Sequence, residues 1–303
     1  MKIKTQQRKM SAMHIDTVDW KLIGTCNLGC LHCYGPLKTE KALPSEQLFE
    51  IVEKFKDLRV RTVVLTGGEP LLVRDIGEIM RVLHVANISI ALSTNTSFFS
   101  KFQREIGKYV SSLNIPLDGS TSEIHAKSRM DTKTFFSCLE TLRYYKNKPS
   151  EKPRLLRVGT VYSKATSGDF LCIAKLLQPF SDVINTWKIY ELIDYEFQQD
   201  LRQSIIHDTS DFEAEMALLL QKSDFGSKIM IAPASSRDKA YFMVNLKGQV
   251  VIPTNLGEVT HEIVMGDILK DSFDGLVERW SEKINAENYR ENHEQYYGKI
   301  NLL

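Results

Sequence analysis

The sequence predicts an α/β fold in which strands and helices alternate along most of the chain. Short apolar runs rich in β-branched residues recur, and stretches with helical periodicity lie between them. The 303 residues, 43% of them hydrophobic, are enough to bury one large core. Alternation of this kind is typical of a parallel sheet whose strand C-termini share one face.

Six strands and five intervening helices are predicted. The strands span residues 17–23, 62–65, 88–93, 110–116, 155–162 and 183–192. The helices span residues 45–58, 75–85, 98–108, 132–145 and 169–177. The first helix follows Pro44, which is a helix-start signal.

The pattern loosens after residue 195, and a smaller α+β extension is expected at the C-terminus. It begins with a helix at 211–221 and continues with a hairpin whose turn is Lys247-Gly248. A charged helical tail at 282–299 follows, for which surface packing is expected, although His293 and the Tyr296-Tyr297 pair could close the mouth of the fold. We therefore predict a core over residues 14–208 and an extension over residues 209–303.

The charge balance favours neither nucleic-acid nor membrane binding. The formal net charge is +1 and 25% of the residues are charged. A chain so close to neutral has no large net positive charge that would attract nucleic acids or anionic membranes. No apolar run is long enough to cross a bilayer, and no secretory signal peptide is present.

Three of the five cysteines, Cys26, Cys30 and Cys33, lie in one short loop after the first strand. A four-iron cluster normally binds four thiolates, so three cysteines from one loop leave one iron without a protein ligand. An open metal position indicates chemistry, by the logic that separates catalytic from structural zinc sites.

Structural zinc and disulfides are the alternatives for these cysteines. Zinc sites usually show a second Cys pair or supporting histidines, but Cys138 and Cys172 are isolated in apolar, helix-like contexts. We expect both to be buried, inert thiols. The odd cysteine count and the length of the chain disfavour a disulfide framework.

A second unusual loop, Thr66-Gly67-Gly68-Glu69-Pro70, follows the second strand. Gly67 and Gly68 lack side chains where a ligand must approach the backbone, and Glu69 can accept a charge-assisted hydrogen bond from an ammonium group. A lone Gly-Gly pair is usually a turn, but its position beside the cysteine loop favours binding.

The C-x-x-x-C-x-x-C and G-G-E-P motifs, in this order at strand ends, resemble the radical S-adenosylmethionine (SAM) superfamily, with His32 at a position that is usually aromatic. The resemblance implies a partial (β/α)₆ barrel of the TIM type. It implies that the cysteines hold a [4Fe-4S] cluster, that SAM chelates the free iron, and that reductive cleavage gives a 5′-deoxyadenosyl radical that abstracts hydrogen. It also implies a reductant of the flavodoxin or ferredoxin type and a reducing, cytoplasmic compartment.

The resemblance assigns further residues to the cofactor site. These are Tyr34 after the third cysteine, Ser93 and Asn95 at the end of the third strand, Arg129, and Thr160 in the fifth strand. Arg129 ends an E-I-H-x-x-x-R segment and is expected at the SAM carboxylate, whereas Asn95 could instead cap a helix and Thr160 could be an ordinary buried strand residue. Asp118 lies in a segment resembling S-L-D-G, with Pro116 in place of the serine, and is expected to orient its neighbours.

The sixth strand carries the candidates for substrate chemistry. Under strict alternation Lys188 and Tyr190 share one face, and a lysine inside the barrel needs an anionic partner. The Trp187-Lys188 pattern resembles viperin-like nucleotide dehydratases, in which the lysine faces a phosphate; the alternative is an exposed or salt-bridged lysine. Lys188, Tyr190 and Asp118 are the catalytic candidates.

Three functions follow from these patterns. The first is hydrogen abstraction from a small metabolite, phosphorylated or a nucleotide. The second is modification of a ribosomally made peptide or protein, although the C-terminal region has no auxiliary-cluster cysteines. The third is an iron–sulfur sensor, which would have no need of a loop that grips SAM. Neither the substrate nor the oligomeric state is predicted.

Overall fold

The computed structural model describes residues 15–33, 39–193, 203–256 and 259–297. Within them one sheet of ten strands runs in the order β10-β9-β8-β1-β2-β3-β4-β5-β6-β7. The strands are β1 Thr17–Ile23, β2 Thr62–Gly67, β3 Ser89–Ser93, β4 Ser112–Pro116, β5 Leu155–Tyr162, β6 Thr186–Glu191, β7 Ile229–Ala232, β8 Met243–Val244, β9 Gln249–Leu256 and β10 Val259–Asp267. Strands β1 to β7 pair in parallel.

Helices connect consecutive parallel strands, which confirms the predicted α/β class. The α-helices are α1 Ser45–Asp57, α2 Ile76–Val85, α3 Phe99–Tyr109, α4 Ser122–Arg129, α5 Lys133–Asn147, α6 Phe170–Leu177, α7 Thr209–Lys222, α8 Phe273–Ser281 and α9 Ala286–Tyr297. The first five predicted helices correspond to α1, α2, α3, α5 and α6.

The alternation of side chains along β1 separates the core from the interior of the curved sheet. Trp20 is fully buried against the helical layer, where its ring meets that of Phe55 edge to face at 5.2 Å. Aromatic pairs of this kind add to the free energy gained by burying the rings. Asp19 and Lys21 point the other way, toward a cavity. Polar residues on that inner face therefore carry a site rather than the core.

Strands from the C-terminal segment extend the sheet at both edges. Strand β7 pairs in parallel with β6, and β8 pairs in parallel with β1 through Asp19 and Trp20. Strands β9 and β10 continue beyond β8 as an antiparallel hairpin. The turn at Lys247-Gly248 lies where it was predicted, and Gly248 adopts a φ of +74° there. The domain boundary at residue 208 stays a prediction, because strands from both sides of it share one sheet.

In the described part of the chain, no helix combines the length and apolar character that crossing a bilayer requires.

Candidate cofactor and substrate site

A cavity of about 310 Å³ lies inside the curved sheet. Inward-facing residues of six neighbouring strands, β1 to β6, contribute to its wall. Because one cavity is bordered by both the first and the sixth parallel strand, the sheet curls as a partial barrel does. The loops at the C-terminal ends of the strands meet at its mouth, where the active sites of such barrels lie.

The three loop cysteines border this cavity together. Two polar side chains point at their sulfurs: Asn95 Nδ2 lies 3.7 Å from Cys26 Sγ, and Arg129 Nη1 lies 3.9 Å from Cys30 Sγ. Burial raises the pKa of the Cys30 thiol to about 11, against the opposing charge of Arg129. A bound metal deprotonates such a thiol outright, and the nearby donors suit the resulting thiolates. Cys26, Cys30 and Cys33 therefore fit a metal-bound group.

The two glycines of the second loop allow it to touch the cysteine loop. A Cβ on Gly67, whose φ is +128°, would lie 2.4 Å from the carbonyl oxygen of Ile23, and one on Gly68 would lie 2.2 Å from that of Thr25. Gly68 N donates to Ile23 O at 2.5 Å, and Glu69 N donates to Thr25 O at 3.0 Å. Only glycine permits this approach. Both glycines also line the cavity.

Glu69 is fully buried and ties two loops together. Its Oε1 accepts hydrogen bonds from Leu71 N at 3.1 Å and Thr94 Oγ1 at 2.7 Å, and its Oε2 accepts one from Asn95 N at 2.7 Å. Burial raises the pKa of the Glu69 carboxyl, and the three donors oppose that rise. Glu69 thus has a structural role in connecting the two loops. Its contact with the SAM ammonium stays a prediction, and that contact would use the remaining acceptor position on Oε2.

Asp118 holds Arg129 in place. Arg129 Nε donates to Asp118 Oδ2 at 2.5 Å, while Val161 N donates to Oδ1 at 2.7 Å. Burial opposes ionisation of Asp118, but the charge of Arg129 keeps the pKa of its carboxyl below the usual range. Asp118 therefore orients the guanidinium at the cavity wall. It is buried behind that wall and is not one of the residues that line the cavity.

The remaining predicted cofactor residues divide between the two faces of the sheet. Ser93 and Asn95 line the cavity. Thr160 does not, contrary to the sequence prediction: its hydroxyl donates to Leu117 O at 2.6 Å and accepts from Trp187 Nε1 at 2.8 Å on the outer face. Its neighbours on β5, residues 159 and 161, face inward instead. Tyr34 lies outside the described residues.

Lys188 and Tyr190 both face the cavity from β6. Four strands of the sheet lie between β6 and β1, which the cysteine loop follows. The Lys188 ammonium lies 4.9 Å from the centre of the Tyr190 ring, and the Arg237 guanidinium lies 5.7 Å from it. Burial, together with the positive charges of Arg157 and Arg237, lowers the pKa of Lys188 to about 7, whereas Asp19 acts in the opposite direction. Lys188 and Arg237 line the cavity and form what we call the cationic wall, and Arg157 lies near Lys188 without lining the cavity.

The sequence analysis missed three of the groups around this cavity. Asp19 could have been found from the alternation of β1, which places it beside Lys21 on the inner face. His293 was expected at the surface, with closure of the mouth of the fold as the alternative, but it is 2% exposed and lines the cavity. Arg237 comes from an irregular segment after β7, and no local pattern marks it.

Comparison with known proteins identifies the family. A model of the radical SAM superfamily matches residues 20–158. The chain is 33% identical over 102 residues to a probable GTP 3′,8-cyclase of Archaeoglobus fulgidus, covering 32% of this chain and 34% of that protein. Residues 20–158 belong to the radical SAM superfamily. The members of this superfamily are enzymes that use a [4Fe-4S] cluster and SAM.

Other radical SAM relatives match more of the chain at lower identity. A SAM-dependent nucleotide dehydratase of Flammeovirga pacifica is 23% identical over 206 residues, 61% of this chain and 66% of that protein. An AdoMet-dependent heme synthase of Oleidesulfovibrio alaskensis is 23% identical over 183 residues, 58% of this chain and 45% of that protein. The chain thus spans about half or less of several curated relatives.

Solved radical SAM structures share the fold. SuiB of Streptococcus suis bound to SAM superposes with a TM-score of 0.65 at 13% identity, over 95% of this chain and 70% of that one. The protein anSMEcpe with bound AdoMet and a peptide gives 0.67 at 15% identity, over 90% and 83%. At these identities the likeness shows the partial barrel and nothing about substrate.

The residues at the cysteine end of the cavity fit the cofactors of the family. Three thiols border one end of the cavity, and polar side chains can donate to two of them. The loop that carries Gly67 and Gly68 lies against the cysteine loop at the same end. No three His, Cys, Asp or Glu side chains among the described residues converge on a point suited to a single metal ion. Each thiolate of a four-iron cluster binds a different iron, so the cluster does not require such convergence.

Proposed function

We propose that the protein is a radical SAM enzyme that abstracts hydrogen from a small anionic metabolite, phosphorylated or a nucleotide. The observation that supports the substrate class is the cationic wall, which borders the same cavity as the three cysteines. A hydrogen donor bound to that wall would lie in the space that the cofactor also enters.

The chain's residues have distinct roles in this proposal. Cys26, Cys30 and Cys33 would hold the [4Fe-4S] cluster, which with SAM supplies a 5′-deoxyadenosyl radical when both are bound. Ser93, Asn95 and Arg129 line the adjoining wall and would hold SAM, with Arg129 at its carboxylate. A site inside the curved sheet would limit the access of water and so protect a reactive species from side reactions.

The electrostatics of the far wall favour an anion. Burial and two neighbouring guanidinium groups lower the pKa of Lys188 to about 7. The environment of Lys188 therefore disfavours a positive charge. A phosphate or carboxylate placed there reverses that effect and restores the charged ammonium. Phosphate groups carry the charge and the acceptor oxygens that lysine and arginine bind best.

The names of two relatives agree with this class. One is a GTP cyclase and another is a nucleotide dehydratase, and both names describe a nucleotide substrate for those proteins. We place the enzyme in the cytoplasm with a reductant of the flavodoxin or ferredoxin type, because cleavage of SAM requires an electron.

A substrate panel tests the proposal. Anaerobically reconstituted protein should form 5′-deoxyadenosine faster with one class of phosphorylated metabolite than without it. Lys188→Met should weaken binding of that compound roughly a hundredfold, because a buried ion pair loses one partner. Lys175→Met, on the exposed face of α6, is the matched control and should behave as wild type. Stimulation by a peptide and by no phosphorylated compound would replace this proposal with peptide modification.

A further inference from the structure

Asp19 presents an unused acceptor to the cavity. It lies in the middle of β1, two residues before Lys21 on the inner face, and its side chain is 12% exposed. Its Oδ2 is 3.3 Å from His293 Nε2. Its Oδ1 has no hydrogen-bond partner among the residues that the structure describes. A carboxylate oxygen in a mostly enclosed space requires a donor, so this atom points to a ligand.

The ring of His293 is held at both of its nitrogens. Its Nδ1 lies 2.7 Å from the carbonyl oxygen of Tyr289, one turn earlier on α9, and its Nε2 lies 3.3 Å from Asp19 Oδ2. The ring therefore links the carboxylate of Asp19 to the backbone of α9.

The surroundings of the pair fix its position. The rings of Tyr241 and Tyr289 pack on the imidazole, with centroids at 5.7 and 4.5 Å. Tyr289 also bonds the backbone of Thr17 at the start of β1, because its hydroxyl accepts from Thr17 N at 3.0 Å. Helix α9 is thereby attached to the strand that carries Asp19. The carboxylate is held in place before any ligand enters.

The charges that face Asp19 come from other elements. His293 lies on α9, and Lys188 of β6 interacts electrostatically with Asp19 across the cavity. Arg237, the other member of the cationic wall, and the buried Arg157 lie near Lys188. The cavity thus has a cationic side, and Asp19 faces it with one unbonded oxygen, whereas Glu191, the other carboxylate in the cavity lining, is bonded to Thr209 Oγ1 and Ala234 N.

We propose that Asp19 is a substrate-binding residue that accepts a hydrogen bond from a hydroxyl or ammonium group, and that His293 is its positioning residue. Together with the anion site proposed above, on which this inference rests, the cavity would take a phosphate monoester or nucleotide that carries such a donor. A compound with the anionic group alone would use only half of the site.

Binding of four simple probes to the reconstituted, SAM-loaded protein tests this assignment. The probes are inorganic phosphate, ethyl phosphate, phosphoethanolamine and glycerol 3-phosphate, titrated calorimetrically. Wild type should bind the last two about tenfold more tightly than ethyl phosphate, the gain expected of one hydrogen bond to a charged group. Asp19→Asn should abolish the preference for phosphoethanolamine over ethyl phosphate. Asp16→Asn is the matched control, because Asp16 lies just before the same strand but pairs with Arg61, and neither of these residues lines the cavity.

The possible outcomes separate this inference from the proposed function. Binding of inorganic phosphate without any preference between the esters would overturn the role of Asp19 alone. Retention of the preference in Asp19→Asn would do the same. Failure of wild type to bind phosphate at all would overturn the proposed substrate class and this inference with it.

A variant of His293 tests the positioning role. His293→Gln keeps the carboxylate of Asp19 but removes the ring that lies 3.3 Å from its Oδ2. The preference for phosphoethanolamine over ethyl phosphate should become smaller without disappearing. A preference as large as that of wild type would contradict the positioning role.

Discussion

The two ends of the cavity are built differently. At the cysteine end, the short loops after β1 and β2 contact each other through backbone hydrogen bonds and two glycines, and the side chain of Glu69 binds the loop after β3. At the far end, side chains distant in sequence converge, and Asp19 and His293 are 274 residues apart. Short motifs can specify the first arrangement because its parts are local. The second depends on the whole sheet closing around one space, so it is where this chain can differ from others of its superfamily.

The largest expected effect is at the cysteine end. Cys30→Ala should abolish the cluster of about four irons and four sulfides that reconstituted protein holds, because the remaining thiols bind too few irons. Iron and sulfide analysis with absorption spectroscopy measures this. Changing Cys138 and Cys172 together to Ala should leave the iron content unaltered, and a full cluster in Cys30→Ala would refute the ligand assignment.

Gly68→Ala should disrupt the same end without removing a ligand. The added methyl group would lie 2.2 Å from the carbonyl oxygen of Thr25, so the two loops must separate. We expect loss of SAM cleavage and of cluster occupancy. Gly77→Ala is the matched control: its nearest neighbour is Glu105 Cγ at 3.9 Å, and in a helix the change should stabilise the fold by about 0.5–1 kcal/mol. Equal SAM cleavage and cluster occupancy in the two variants would show that neither depends on the contact between the two loops.

Titration of His125 should produce an intermediate effect on stability. Its Nδ1 accepts from Asp118 N at 3.1 Å and its Nε2 bonds Thr134 Oγ1 at 3.1 Å, so it is buried as the neutral ring. Burial lowers the pKa of His125 from 6.5 to about 4. Between these values the unfolded chain takes up a proton that the folded protein does not, so stability falls as pH falls from about 6.5 toward 4, by roughly 3 kcal/mol at most.

Denaturant unfolding at several pH values measures this loss. His125→Gln cannot titrate in this range, and its stability should be less pH-dependent between the two values. A wild-type curve that is as flat as that of the variant would contradict the neutral, buried ring.

Glu69→Gln should give the smallest of these effects on stability. In the variant, an amide nitrogen takes the place of one carboxylate oxygen and faces either Thr94 Oγ1 or Asn95 N, which are donors. One buried hydrogen bond is then not formed, and its loss lowers the free energy of unfolding by about 1–3 kcal/mol. The cluster should remain, whereas SAM cleavage should fall if the carboxylate also binds the ammonium. Unchanged affinity for SAM would leave Glu69 with the structural role alone.

The fold was predictable from the chain to a large extent, and its departures have local causes. Strands β1 and β5 have the predicted bounds. Strand β6 begins at Thr186 rather than at residue 183, because the backbone at Val183 and Ile184 is bonded to Phe180 in a turn. Strand β7 was not predicted, since its four residues form a short apolar run that could equally lie in a loop.

The candidate site was predictable only where motifs or alternation applied. Spacing identified the three cysteines, and alternation placed Lys188 and Tyr190 on one face. Alternation also places Thr160 on the outer face, so its assignment to the cofactor was avoidable. Cys172, predicted to be buried, is exposed because it lies opposite the buried residues of α6.

A crystal structure of the reconstituted protein with SAM and inorganic phosphate tests the central claim most directly, namely that one cavity joins the cofactor end to an anion site. The account predicts a phosphate within hydrogen-bonding distance of Lys188, inside the cavity and separate from SAM. Phosphate found only on the outer surface, or the cationic wall occupied by the carboxylate of SAM itself, would contradict it.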